Sequence, residues 1–271
     1  MWTEGRAPQK GVSLRIRRTN VFFLLAGCLG MALMFHAPGR RPLAAGHPRT
    51  FQEVMQTRIP PLDTSGKTPI EVWLHLAYKY KVPMALEHVS KGAACERLRL
   101  RLPRLTLRAA LERIASAVPD YRVDFSMGIV DIYSPRARAD PKNPFNVVVR
   151  KFDVDGMGTH MADAQLLCAL SRQLDPTSGG CGGSIAGGQW GKLRITVHLA
   201  NKRVYEILNA IVAQNGKAVW TPIRPSGGPV GTNVTPSTNF WYIYPLDPAF
   251  LSMALEPVET LRPCGPVERG R

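Results

Sequence analysis

The hydrophobic pattern of this 271-residue chain repeats itself. Residues 98–125 (LRLRLPRLTLRAALERIASAVPDYRVDF) and 195–222 (ITVHLANKRVYEILNAIVAQNGKAVWTP) align without a gap, apolar on apolar. Leu98 meets Ile195, Leu100 meets Val197, Leu102 meets Leu199 and Leu107 meets Val204. Further on, Leu111 meets Leu208, Ile114 meets Ile211 and Val123 meets Trp220. In both copies the period is 2 over the first three positions, then 3 or 4. That predicts a strand with one buried face running into an amphipathic helix.

The flanking patterns extend each copy into a module. Thr68-Pro69-Ile70-Glu71 predicts a helix start, with Thr as cap, Pro in the first turn and Glu closing a capping box. Ile70, Trp73, Leu74, Ala77 and Tyr80 continue it at helical spacing. Strands are expected at 82–89 and 97–102, a helix at 106–117, and a hairpin at 121–125 and 129–133 turning near Met127-Gly128. The second module is expected as a strand 147–154, a helix through Met161, Leu167 and Leu174, a strand 193–199, a helix 201–215, and strands 217–223 and 240–244. The fold class is therefore α+β: two small modules, each a short sheet with two helices packed on it. The expected layout is a signal or anchor at 1–46, a linker at 47–66, the first module at 67–135, and a linker at 136–145. The second module then covers 146–245, and an irregular tail 246–271.

The N-terminus changes the picture. Residues 21–37 (VFFLLAGCLGMALMFHA) are apolar and follow Arg15, Arg17 and Arg18, the layout of a secretory signal or membrane anchor. Three fates are expected to compete: cleavage near Ala44-Ala45-Gly46, lipidation of Cys28 in the lipobox-like Leu25-Ala26-Gly27-Cys28, or retention as an anchor with the body outside the cytoplasm. Such export makes disulfides permissible among Cys95, Cys168, Cys181 and Cys264. The first pair to test is Cys168–Cys181, which would tie the Gly-rich run 179–188 to the preceding helix. The net charge is +15, of which residues 1–46 supply +6. The basic residues of the body are scattered without interleaved aromatics, which speaks against nucleic acid as partner.

The run 104–135 (RLTLRAALERIASAVPDYRVDFSMGIVDIYSP) resembles the short N-terminal domain of secretins and TonB-dependent receptors, with Leu107, Leu111, Ile114, Tyr121, Val123, Ile129 and Ile132 at the matching positions. Val204, Leu208 and Ile211 echo it in the second copy. The resemblance implies a periplasmic docking or assembly module without catalytic residues or cofactor. No stretch after residue 245 offers room for a barrel, so the expectation is the periplasmic part without the channel.

Motifs for chemistry fail on inspection. Gly191-Lys192 is followed by Leu193, which breaks a phosphate-binding loop, and Ser184 precedes an expected strand where a nucleophile elbow needs a helix. His75, His88, His160 and His198 lack metal-ligand spacing with one another or with the cysteines. The function expected is thus a non-enzymatic, membrane-tethered envelope protein without cofactor or metal. It would capture an envelope protein by sheet-edge addition at Phe240, Tyr242 and Tyr244. The alternative is an envelope hydrolase using His160 and Ser184 near the Gly-rich run.

Overall fold

The computed structural model describes residues 49–174, 193–222 and 241–259. These belong to one compact unit spanning residues 47–271, and the fold is α+β. Its centre is a five-stranded sheet of β3 (Met84–Leu86), β6 (Arg122–Asp124), β7 (Val130–Tyr133), β10 (Ala218–Pro222) and β11 (Trp241–Pro245), in the order β11-β10-β3-β7-β6. The two expected modules therefore meet in a single sheet. β3 pairs parallel with β7 on one side and parallel with β10 on the other, with Met84 opposite both Val130 and Val219.

Both faces of this sheet are covered, and strand periodicity sorts its residues between two cores. Met84, Leu86, Val130, Ile132, Val219 and Tyr244 belong to the first core, while Ala85, Ile129, Ala218, Trp220 and Trp241 belong to the second. The first core is closed by α2 (Pro69–Tyr80), α4 (Leu107–Ser116) and α8 (Leu251–Glu259). The second is closed by α6 (Thr159–Leu174), α7 (Val204–Asn215) and the long hairpin-like pair β8 (Val148–Gly158) and β9 (Arg194–Arg203). Trp73 and Trp220 are the largest fully buried side chains of their respective cores.

The repeat holds at the level of its helices. Leu107 and Val204, Leu111 and Leu208, and Ile114 and Ile211 are all buried at equivalent turns. The hairpin expected near Met127-Gly128 forms, with β6 antiparallel to β7. Its turn places Met127 and Gly128 at positive φ, and glycine takes that conformation without strain.

Three segments expected to be irregular carry structure. Within 47–66 lie α1 (Phe51–Met55), β1 (Arg58–Ile59) and β2 (Leu62–Asp63), which pair with β5 (Leu105–Thr106) and β4 (Arg101–Leu102). The reason is a second capping box. The Thr50 N–H donates to Glu53 Oε2 at 2.6 Å, the Glu53 N–H donates to Thr50 Oγ1, and Met55 and Ile59 then enter the first core. In the linker region Ser134 caps α5 (Pro135–Ala139), with Pro135 in the first turn. In the tail, Leu251, Ala254 and Leu255 recur at helical spacing and place α8 on the first core.

The pairs β1–β5 and β2–β4 share one register, so residues 58–64 and 100–106 form a single ribbon. It is interrupted at Pro60, Pro61 and Pro103, which have no N–H to give the ladder. The bonds from Thr64 N–H to Leu100 O and from Gly66 N–H to Leu98 O continue it toward α2.

Candidate functional site

Strand alternation alone places two acids inside the molecule. Asp131 lies between Val130 and Ile132 of the first core, and Glu87 follows Leu86, so both project to the opposite face, where α7 packs. Ala85 and Asp131 are direct cross-strand partners, and the Glu87 N–H donates to Ile132 O. Both side chains are almost wholly buried. Arg138, brought over by α5, donates from Nε and Nη2 to the two oxygens of Glu87 at 2.7 and 2.6 Å, and from Nη2 to Asp131 Oδ2 at 2.6 Å. Its guanidinium lies over the rings of Tyr133 at 3.5 Å and Tyr205 at 4.6 Å. From the second half, Asn209 on α7 donates to Asp131 Oδ2 at 3.0 Å and to Glu87 Oε1 at 3.3 Å, and it accepts from Trp220 Nε1 at 2.7 Å.

Two carboxyls facing one guanidinium are charge-unbalanced. Burial, and then the adjacent Glu87, push the Asp131 carboxyl up to about 8, and Arg138 opposes that only in part. Protonating one carboxyl leaves a single ion pair. Asp131 Oδ1 is buried without a hydrogen-bond partner. Arg138 binds both carboxyls and stacks on Tyr205, so the cluster joins β3, β7, α5, α7 and β10. This is the arrangement of a clamp between the two sequence halves.

A smaller polar site sits at the start of α6. His160 is half-buried, and its Nδ1 has no hydrogen-bond partner. Asp163, one turn on, accepts a short hydrogen bond from Trp241 Nε1. Burial pushes the Asp163 carboxyl up to about 6, with the Trp241 bond working against it. Asn215 Nδ2 donates to Thr159 Oγ1 at 2.7 Å and ties this turn to the end of α7. Ser184 and the Gly-rich run 179–188 lie outside the described residues.

Among the described residues the expected sheet edge is the terminal strand β11, and Phe240 lies outside them. Tyr242 is 43% exposed, whereas Tyr244 is buried in the first core beside α8. Of the three aromatics expected at the edge, Tyr242 is therefore the one available to a partner among the described residues. The Leu246 N–H donates to Lys217 O, and hydrogen-bonded pairs alternate along an antiparallel ladder. The pairs Tyr244–Val219 and Tyr242–Thr221 are therefore bonded, and the backbone N–H and C=O of Ile243 point away from β10. The opposite edge, β6, is only three residues long and carries Arg122 and Asp124, features that discourage pairing.

The four candidate histidines fall on separate elements. His75 is on α2, His88 follows β3, His160 is on α6, and His198 is on β9 beside Asp153 at 3.2 Å. No group of three or more metal-ligating side chains occurs among the described residues. Cys95 at the end of α3 (Lys91–Cys95) is disulfide-bonded. Cys168 lies on α6, while Cys28, Cys181 and Cys264, and with them the Cys168–Cys181 pair, lie outside the described residues. Among the described residues no helix is long and apolar enough to cross a membrane, and residues 21–37 are not among them.

Glu87, Asp131, Arg138 and Asn209 escaped the sequence reading. Their signal was present: a lone acid inside each of two apolar runs, Met84-Ala85-Leu86-Glu87 and Val130-Asp131-Ile132. Such an acid in a strand covered on both sides calls for a buried cation or for a proton of its own. No family model, curated protein or solved structure matches the chain.

Proposed function

We propose that this chain is a non-enzymatic protein of the bacterial envelope, exported and tethered through residues 21–37, whose folded body captures a partner chain by adding a strand to β11. The family kinship to secretin and TonB-receptor periplasmic domains belongs to the same proposal and rests on the apolar pattern of residues 104–135 and its echo in the second copy. The disulfide at Cys95 supports an oxidising compartment. The observation that carries the reading is the terminal position of β11 among the described strands, with Ile243 turning its N–H and C=O away from β10 and Tyr242 exposed beside it. An incoming strand would gain main-chain bonds at Ile243, with Tyr242 as a side-chain contact. Pro245 ends the donor row.

The test places a photocrosslinking amino acid at Tyr242 of the full chain in its native envelope. A discrete adduct is expected, and it should disappear in Ile243→Pro, which removes an outward donor but no bond to β10. Circular dichroism and a melting curve verify that the variant is folded. An adduct that persists in folded Ile243→Pro refutes strand addition. A hydrolytic activity that vanishes in His160→Ala refutes the non-enzyme reading.

A further inference from the structure

The outer face of the ribbon is strongly basic. Between residues 58–67 and 97–106 it carries Arg58, Lys67, Arg97, Arg99, Arg101 and Arg104 against the single acid Asp63. Alternation builds the stretch 97–101, and beyond the proline interruption Ile59 and Leu105 turn to the core and leave their neighbours Arg58 and Arg104 exposed. Leu98, Leu100 and Leu102 point into the first core and fix the ribbon, so Arg97, Arg99 and Arg101 point out together. Arg97 is held by Gly66 O at 2.8 Å and Glu71 Oε2 at 3.3 Å, and Arg101 reaches Asp63 only at 3.6 Å with 86% of its side chain exposed. Arg58, Arg99 and Arg104 are exposed and have no acidic partner among the described residues.

The place of the ribbon in the chain says what it faces. Arg49 stands twelve steps along the chain from Ala37, the end of the apolar run. Even fully extended they reach roughly 40 Å. The chain then forms α1 and passes directly into β1, so the ribbon's first strand follows such a tether closely in sequence. We infer that the ribbon is a membrane-facing surface, whose outward arginines engage the anionic phospholipid head groups of the bilayer holding residues 21–37. The inference rests on the tethering part of the proposed function and is independent of strand addition at β11. Guanidinium forks match phosphate oxygens, and basic residues within a Debye length of a leaflet that carries anionic lipid gain from its negative surface potential. The outward positions present no aromatic for stacking on bases, which sets this surface apart from a single-strand nucleic-acid platform.

The experiment reconstitutes the full chain into nanodiscs of phosphatidylcholine alone, or with about 30% phosphatidylglycerol, and follows arginine modification by phenylglyoxal with mass spectrometry. At low salt, modification of Arg58, Arg99 and Arg104 should slow by at least about threefold in the anionic discs, with full rates restored near 500 mM salt. Arg150, exposed on β8, should react equally in both. In the variant Arg58→Gln/Arg99→Gln/Arg104→Gln, the protection of Arg101 should be released at lower salt. Equal rates at Arg58, Arg99 and Arg104 in the two kinds of disc, in chain that has entered them, overturn the inference and leave the tether standing. Chain that does not enter discs of either kind defeats the tether and this inference with it.

Discussion

The two copies of the repeated unit share a pattern of apolar residues but not a position in the sheet. In the first copy the strand after the helix, β6, is an edge strand. Its counterpart β10 lies between β11 and β3. Val123 is accordingly half-buried, while its equivalent Trp220 is fully buried and bonded to Asn209. The helices differ in the same way. Glu112 on α4 is 49% exposed and pairs with Arg108, while Asn209, at the equivalent place on α7, is 4% exposed and holds the carboxylate cluster. The caps divide one motif between them. Thr106 Oγ1 accepts from the Ala109 N–H in the first copy, and Glu206 accepts from the Arg203 N–H in the second. Local pattern therefore specifies the unit, and the surroundings decide which of its faces become interior.

The largest expected asymmetry is at the strands. Trp220→Ala should cost about 3–5 kcal/mol, and Val123→Ala about 1 kcal/mol. Denaturant titration checks both, and equal losses would mean that β6 and β10 are equally enclosed. Symmetry should return at the helix cores, where Leu111→Ala and Leu208→Ala should each cost about 2–5 kcal/mol. A melting temperature left unchanged by either substitution would break the equivalence of α4 and α7.

At the next position the copies should part again. Asn209→Ala leaves buried partners unsatisfied and should cost about 1–3 kcal/mol, whereas Glu112→Ala should stay within about 0.5 kcal/mol. The same cluster gives a pH signature. The Asp131 carboxyl stands at about 8 in the folded protein, above its ordinary value near 4, so the folded state holds the proton more tightly. Its stabilising contribution is complete below about pH 4 and is lost as pH rises toward about 8. Asp131→Asn should flatten that decline in chemical denaturation between about pH 5 and about pH 8. A wild-type decline kept unchanged in the variant would assign the effect elsewhere. The smallest effect is at the caps, where Thr106→Ala should cost about 1 kcal/mol. Arg203→Ala should cost less, because its cap bond comes from the Glu206 side chain to a backbone N–H that alanine retains.

What the sequence made legible follows the range of the interactions. The helices at Leu107 and Val204, the turn at Met127-Gly128 and the exposed Tyr242 are set by neighbours a few residues away. The burial of Tyr244 was not legible, because it depends on α8 and the core around it. Nor was the joining of both halves in one sheet, since Ala85 pairs with Trp220 across 135 residues of chain. Periodicity carries no information on such a pairing. The capping box at Thr50 was as readable as that at Thr68, but the prolines after it drew the segment toward a tether. The clamp was half legible: Glu87 and Asp131 stand out in their strands, but their partners Arg138 and Asn209 look like surface residues until α5 and α7 are placed.

The central place of β3 also sets an order of events in biogenesis. A chain made from its N-terminus delivers β3, β6 and β7 well before β10. Until residues 218–222 arrive, one side of β3 has its parallel neighbour β7 and the other side has none. The earlier half must therefore pass through a stage in which a hydrophobic strand, later interior, presents open hydrogen-bonding groups to any chain nearby. The long-range parallel pairing that closes this gap is the slow kind. During that interval the half-made molecule is most exposed to aggregation and depends most on whatever shields nascent chains.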